Sequence, residues 1–97
     1  YDEAWIEIGM IVIMTGSHDT AIRLLEKARH VSRDLPGLYY ILASAYLHAQ
    51  KTRPALKALT EASRLDADLF DDYSVLLPSE MMTPAMKRLF RKKSDRR

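Results

Sequence analysis

The chain repeats itself at a spacing of 34 residues: Trp5, Val12, Ala21, Leu25 and Ala28 return as Tyr39, Tyr46, Ala55, Leu59 and Ala62, and Gly9 returns as another small residue, Ala43. An internal period of this length is the mark of stacked helical hairpins rather than of a pocket built once. Each unit of such a stack cannot bury its apolar face alone, so the core is shared between neighbours. Stacks of this kind usually work by binding other proteins, which bounds the function before any chemistry is considered.

Each unit divides into two helices. Residues 2–14 place Trp5, Ile8 and Val12 at helical spacing, and Thr15-Gly16-Ser17 then interrupts the pattern. Gly16 suits the left-handed residue just past a helix end, and Ser17 suits the cap of the next helix. A second helix is predicted over about 18–31, with Ala21, Ile22, Leu25 and Ala28 as its inner stripe. The second unit follows the same plan: one helix over about 36–49 with Tyr39, Leu42, Ala43 and Tyr46 inward, then one to about Leu65 with Leu56, Leu59 and Ala62 inward. Thr52 is expected to cap the latter helix, and Pro36 and Pro54 fall in first turns, where a missing N–H goes unnoticed. Asp34 and Asp68 suit caps as well. The small residues have a steric reason. Gly9 opposite Ala21, and Ala43 opposite Ala55, would let paired helices approach closely, and Ala28 and Ala62 would do the same against the next hairpin. Glycine inside a helix costs about 1 kcal/mol relative to alanine, so packing is the expected reason for Gly9.

On these residues the chain resembles the tetratricopeptide repeat family, whose pattern has an aromatic, then Leu-Gly, then Tyr in its first helix and Ala, Phe and Ala in its second. The first unit supplies Trp5, Ile8, Gly9, Val12, Ala21, Leu25 and Ala28. The second supplies Tyr39, Leu42, Ala43, Tyr46, Ala55, Leu59 and Ala62. Of the Asp-Pro that the family often has between units, only Asp66 matches. The resemblance covers residues 2–68 and implies an all-α, right-handed superhelical solenoid of helical hairpins. The expected organisation is a single domain over 1–93. It holds repeats at about 2–35 and 36–69, a partial third unit at 70–82 and a capping helix at about 83–93, followed by a disordered basic tail over 94–97.

The third unit is degenerate. Tyr73 and Leu76 keep the period after Tyr39 and Leu42, but Leu77-Pro78-Ser79 stops the helix early and no second helix with paired alanines follows. Thr83-Pro84 instead starts a short amphipathic helix. The expectation is that Met81, Met82, Met86, Leu89 and Phe90 are laid on the last hairpin as a cap. Repeat arrays need about three units to be comfortably stable. The chain begins at Tyr1 and not at methionine, which reads as a fragment of a longer array with an uncovered first face.

The resemblance also implies where a partner would sit. The first helix of each tetratricopeptide unit lines the concave face, and the contact positions fall on Glu3, Ile6, Met10, Ile13 and Met14, then on Gly37, Tyr40, Ser44, Leu47 and His48. This groove is mostly apolar, and an exposed apolar patch normally marks a contact. Methionine adds adaptability suited to a helix or an extended peptide. The expected partner-binding residues are therefore Ile6, Met10, Ile13, Met14, Tyr40, Ser44, Leu47 and His48. Arrays of the family that grip the carboxylate tails of heat-shock chaperones use Lys, Asn and Arg in the groove. Here those positions hold Ile6, Met10, Ile41, Asp71 and Val75, so no such clamp is expected. A second reading is that the same surface packs against another copy or against further repeats, as an oligomerisation or structural segment.

Composition excludes several classes. The chain has 97 residues and no cysteine, which rules out disulfides and thiolate metal sites. No apolar run approaches the roughly 18 residues of a membrane span. The net charge of +2 divides into +6 over residues 87–97 and −4 over the rest. Lys87, Arg88, Arg91, Lys92 and Lys93 would attract phosphate or an anionic membrane. With Phe90 alone for stacking, a solvated helix end is the stronger expectation. His18, His30 and His48 lack ligand spacing. Asp66, Asp68, Asp71 and Asp72 lack the glycine and glutamate of a calcium loop. There is no phosphate loop and no nucleophile on a strained turn. No enzyme activity, metal or cofactor is expected. The partner is a protein or peptide, with self-association as the alternative.

Overall fold

The computed structural model describes residues 2–95, and side-chain surroundings for 7–11 and 13–90. It is all-helical, with no strand among the described residues. Four helices come first: α1 (Asp2–Met14), α2 (His18–Val31), α3 (Pro36–His48) and α4 (Thr52–Asp66). A 3-10 turn, Ala67–Leu69, leads into the short α5 (Phe70–Tyr73), two further 3-10 turns follow at Ser74–Leu76 and Ser79–Met81, and α6 spans Pro84–Asp95. Helix α6 continues past residue 93, so the tail expected to be disordered is helical over 94–95.

The turns repeat with the sequence. Thr15 N–H donates to Ile11 O and Gly16 N–H to Ile13 O; one period later Ala49 donates to Ala45 O and Gln50 to Leu47 O. Gly16 (φ 85°) and Gln50 (φ 62°) both take the left-handed conformation that closes a helix end. The first amides of α2 and α4 are also anchored alike, Ala21 N–H on Ser17 O and Ala55 N–H on Lys51 O. The caps differ from the sequence expectation. Ser17 holds the N-cap position but makes no side-chain bond, and Lys51 and Leu35 rather than Thr52 and Asp34 precede α4 and α3. Proline in the first turn of α3 sets its start without a capping oxygen. Asp66, not Asp68, is the capping carboxylate of the following 3-10 turn: its Oδ1 accepts from Asp68 N–H at 3.1 Å. Thr83 caps α6 as expected, accepting from Met86 N–H at 3.3 Å.

Helix α3 is the centre. It packs on α1, α2, α4 and α5, while α6 packs on α4. Apolar residues surround it on every side, which marks a helix buried all round, and every residue from Gly37 to Ala45 is buried. The inner stripes of α2 and α4 are Ala21, Leu25 and Ala28, and Ala55, Leu59 and Ala62. Gly9 is buried for a packing reason, but its neighbours are Ile41 and Leu25 rather than Ala21. A Cβ there would stand 2.7 Å from Ile41 Cγ2 and 3.3 Å from Leu25 Cδ2. The Cα radius of gyration of 12.4 Å equals the roughly 12.5 Å expected of a compact domain of this length, so the chain is a short block and not an extended rod.

Candidate functional site

The eight residues expected to line a partner groove fall into three groups. Ile6 lies outside the residues with described side chains. Met10 and Ile13 are half-buried against the core, and Met14 and His48 are exposed. Tyr40, Ser44 and Leu47, by contrast, are fully buried. The open groove expected along the second unit is therefore closed, and the closing material is the chain's own C-terminal segment.

The closure is specific. Tyr40 Oη donates to Asp66 O at 2.8 Å, and Ser44 Oγ donates to Leu76 O at 2.7 Å. The Tyr40 ring stacks on Tyr73 with centroids 5.4 Å apart and lies 6.0 Å from Phe90. Phe90 in turn stacks on Phe70 at 4.2 Å. Burial pushes the Tyr40 phenol well above its ordinary pKa, and Asp66, Asp68 and Asp71 push it further. The end of α4 and the degenerate third unit thus each supply one backbone carbonyl, Asp66 O and Leu76 O, as acceptors for hydroxyls that would otherwise be orphaned in the core. Helix α6 adds Met86 and Phe90, both buried, with Met81, Met82 and Leu89 partly so. Met86, Leu89 and Phe90 of α6 thus pack on the protein core. Lys87 and Arg88 are exposed; the side chains of the remaining basic residues lie outside the description.

Helix α1 shows the opposite. Ile8, expected inside, is 42% exposed, with Ile11 at 61% and Met14 at 79%. One period on, Leu42 is 1% exposed and Ala45 0%. The register positions of Ile8 and Ile11 are therefore covered on α3 and uncovered on α1, whereas that of Met14 is exposed on both helices, as His48 on α3. Sequence periodicity predicted Ile8 inside and carried no information on whether a neighbour lies beyond it.

A second feature was absent from the sequence reading. A cleft of about 750 Å³ opens between α2, α3 and α4, lined by Glu26, Arg29, Tyr39, Leu42, Tyr46, Arg53, Pro54, Lys57, Ala58 and Glu61. None of the expected groove residues lines it. Glu26 anchors its wall: Arg29 Nε donates to Glu26 Oε1 at 2.6 Å, and Tyr46 Oη donates to the other carboxylate oxygen. Burial opposes ionisation of Glu26, but these two donors outweigh it and hold the carboxyl below its usual range. The Tyr46 phenol is pushed up to about 12, by burial first and by Glu26 second. Glu61 pairs with Arg64, which lowers its pKa too.

No group of three or more histidines or acids that could hold a metal ion occurs among the described residues. His18 and His48 do meet, with ring centroids 5.3 Å apart. The His48 Nδ1–H is taken by Ser44 O at 2.8 Å, the role of a helix-terminal side chain satisfying a carbonyl. No described helix is long and apolar enough to cross a membrane. No protein-family model, curated protein or solved structure matches the chain.

Proposed function

We propose that the chain is a non-catalytic protein-interaction module of the tetratricopeptide type, docking a helix of a protein partner on the apolar face of α1. The observation that carries this reading is the exposure of Ile8, Ile11 and Met14 on a helix as apolar as the fully buried α3. A helix hydrophobic all round is a buried helix, and on α3 the positions equivalent to Ile8 and Ile11 are buried, as Leu42 and Ala45. Contiguous apolar exposure of this kind marks contact surface rather than solvated surface. Met10, Ile13 and Met14 from the expected groove border the same helix. A partner helix would present apolar anchors at i, i+3 or i+4, and i+7. Selection of a displayed random-peptide library against the chain, with Ile11→Glu as counter-target, tests this. Enriched sequences should carry helical apolar spacing and lose binding to the variant. Binders without that spacing, or binders indifferent to Ile11→Glu, refute it.

The specific equivalence between α1 and α3 also favours a second reading, in which the covering element is another hairpin of the same kind, from a second copy or from further repeats. Sedimentation across a concentration series separates the two. A concentration-dependent dimer abolished by Ile11→Glu supports the second reading, and a monomer throughout supports the first.

A further inference from the structure

The cleft between α2, α3 and α4 has a charge pattern that neither packing nor the α1 surface explains. Its two carboxylates are both matched internally: Glu26 by Arg29 and Tyr46, Glu61 by Arg64. Arg53 and Lys57 are not. Neither has a carboxylate within ion-pair distance among the described residues. They stand four apart on α4, one turn above each other on the same side, and both line the cleft. Their position is electrostatically wrong for the helix. The first turn of α4 carries no acid and holds Arg53, although the helix dipole disfavours cations at this end. Helix α2, at the same point of its own unit, has Asp19. Arg53 beside the positive end of the helix, with Lys57 one turn further along the cleft, makes a local field that favours an incoming anion.

The rest of the lining restricts which anion. Leu42, Pro54 and Ala58 give an apolar floor, and Tyr39 and Tyr46 flank it. Three cations face two ionised carboxylates, so the net charge is only slightly positive. A nucleic-acid strand would bring phosphate against Glu26 and Glu61. A peptide brings a carboxylate for Arg53 and Lys57, amide N–H groups for the acids and an apolar side chain for the floor. The volume of about 750 Å³ lies within the range of sites that enclose small ligands or short segments, roughly 300–1,000 Å³.

We infer that this cleft is a second binding site, which takes an acidic peptide segment with Arg53 and Lys57 as its carboxylate receivers. Tyr46, held by Glu26, is a positioning residue that fixes one wall. The site is separate from the proposed α1 surface, since it shares no residue with it.

The probe is the capped peptide Leu-Glu-Leu-Glu-Leu-Glu, titrated into the isotopically labelled full chain and followed by amide correlation spectra. Saturable shifts should appear at Tyr46, Arg53, Lys57 and Ala58. The glutamine counterpart should bind at least tenfold more weakly. The double variant Arg53→Gln/Lys57→Gln, altered only at exposed side chains, should lose at least tenfold in affinity while its own spectrum reports an intact fold. Ile11→Glu should bind the peptide as the native chain does, so failure of the α1 reading leaves this result untouched. Absence of saturable shifts, shifts confined to other helices, equal binding of the glutamine peptide, or tighter binding of a thymidine oligonucleotide at the same residues would each overturn the inference.

Discussion

Gly9→Ala pits two effects of known size against each other. Alanine is favoured over glycine within a helix by about 1 kcal/mol, so the substitution should stabilise an exposed position. At residue 9 the added Cβ would lie 2.7 Å from Ile41 Cγ2, closer than carbon atoms approach without displacement. Whether the neighbour can give decides the sign. Leu25 meets the new methyl with its distal Cδ2 at 3.3 Å and yields by a small rotation. Ile41 meets it with a methyl attached directly to Cβ, on a β-branched residue whose χ1 is nearly fixed in a helix. Ile41 is also fully buried, so relief requires moving α1 away from α3. Overpacking of this kind costs typically 1–3 kcal/mol, which exceeds the propensity gain. Set against that gain, the expected net is a loss of up to about 2 kcal/mol, and for a domain of this size a Tm lower by up to roughly 15 °C. The double-mutant cycle with Ile41→Ala isolates the contact. With Cγ2 gone, Gly9→Ala should turn neutral or mildly stabilising, giving a coupling of about 2 kcal/mol. Urea denaturation of the four proteins measures it. A Gly9→Ala chain more stable than the native one, or two independent effects, would refute the packing account of this glycine.

Two more outcomes follow from the turn and the cleft. Gln50 occupies a left-handed conformation where the preceding unit has Gly16, so Gln50→Gly should raise stability by about 0.5–1 kcal/mol, and a lowered urea midpoint would contradict the strain assigned there. Tyr46 titrates near 10 when unfolded and is pushed up to about 12 in the fold. The folded chain therefore keeps a proton that the unfolded chain releases: its contribution is fully present below pH 10 and is lost as pH rises through about 12. Tyr46 is only partly buried, and solvent screening reduces the size to on the order of 1 kcal/mol. Tyr46→Phe should flatten that alkaline loss in thermal melts at successive pH values, and parallel melting profiles would rule it out.

Much of the fold was legible because one period controls both sequence and backbone. The alternation of Gly16 and Gln50, and of the alanines facing α3, is set by local sterics, which act within a helical turn or two and leave a trace in the letters. The partition of apolar residues between groove and core left no such trace. Tyr40, Ser44 and Leu47 match Ile6, Met10 and Ile13 in register, but the first three are buried, and Tyr40 and Ser44 find their acceptors far along the chain, at Asp66 O on the end of α4 and at Leu76 O in the degenerate segment. Backbone carbonyls have no signature in a sequence, since every residue carries one. Two hydroxyls at Tyr40 and Ser44 were the available signal: polar groups on an otherwise apolar helix need acceptors when buried. The cleft was invisible for a related reason. Its residues come from three helices and belong to no single pattern, although Arg53 in the first turn of α4 runs against the dipole preference and marks the position.

The covered face of α3 and the exposed Ile8 and Ile11 of α1 bear on where a proposed partner helix could compete. The segment over Tyr40 and Ser44 is tethered to the chain it covers, and a short tether presents its contacts at an effective concentration of order millimolar. A partner helix making equal contacts at a micromolar level is outcompeted by about a thousandfold, or roughly 4 kcal/mol. To displace the segment it would have to exceed the aromatic stacking of Phe70, Tyr73 and Phe90 and also offer Ser44 an acceptor at the depth of Leu76 O. A side-chain acceptor on an amphipathic helix does not reach into a helix–helix seam the way an unwound 3-10 segment does, because helical carbonyls are already engaged. On α1 no such competitor stands among the described residues, and Ile8 and Ile11 present their apolar surface to solvent. Under the proposed docking, a partner would therefore gain its full contact energy on α1 and only a remainder on α3, although the period makes the two helices alike in sequence.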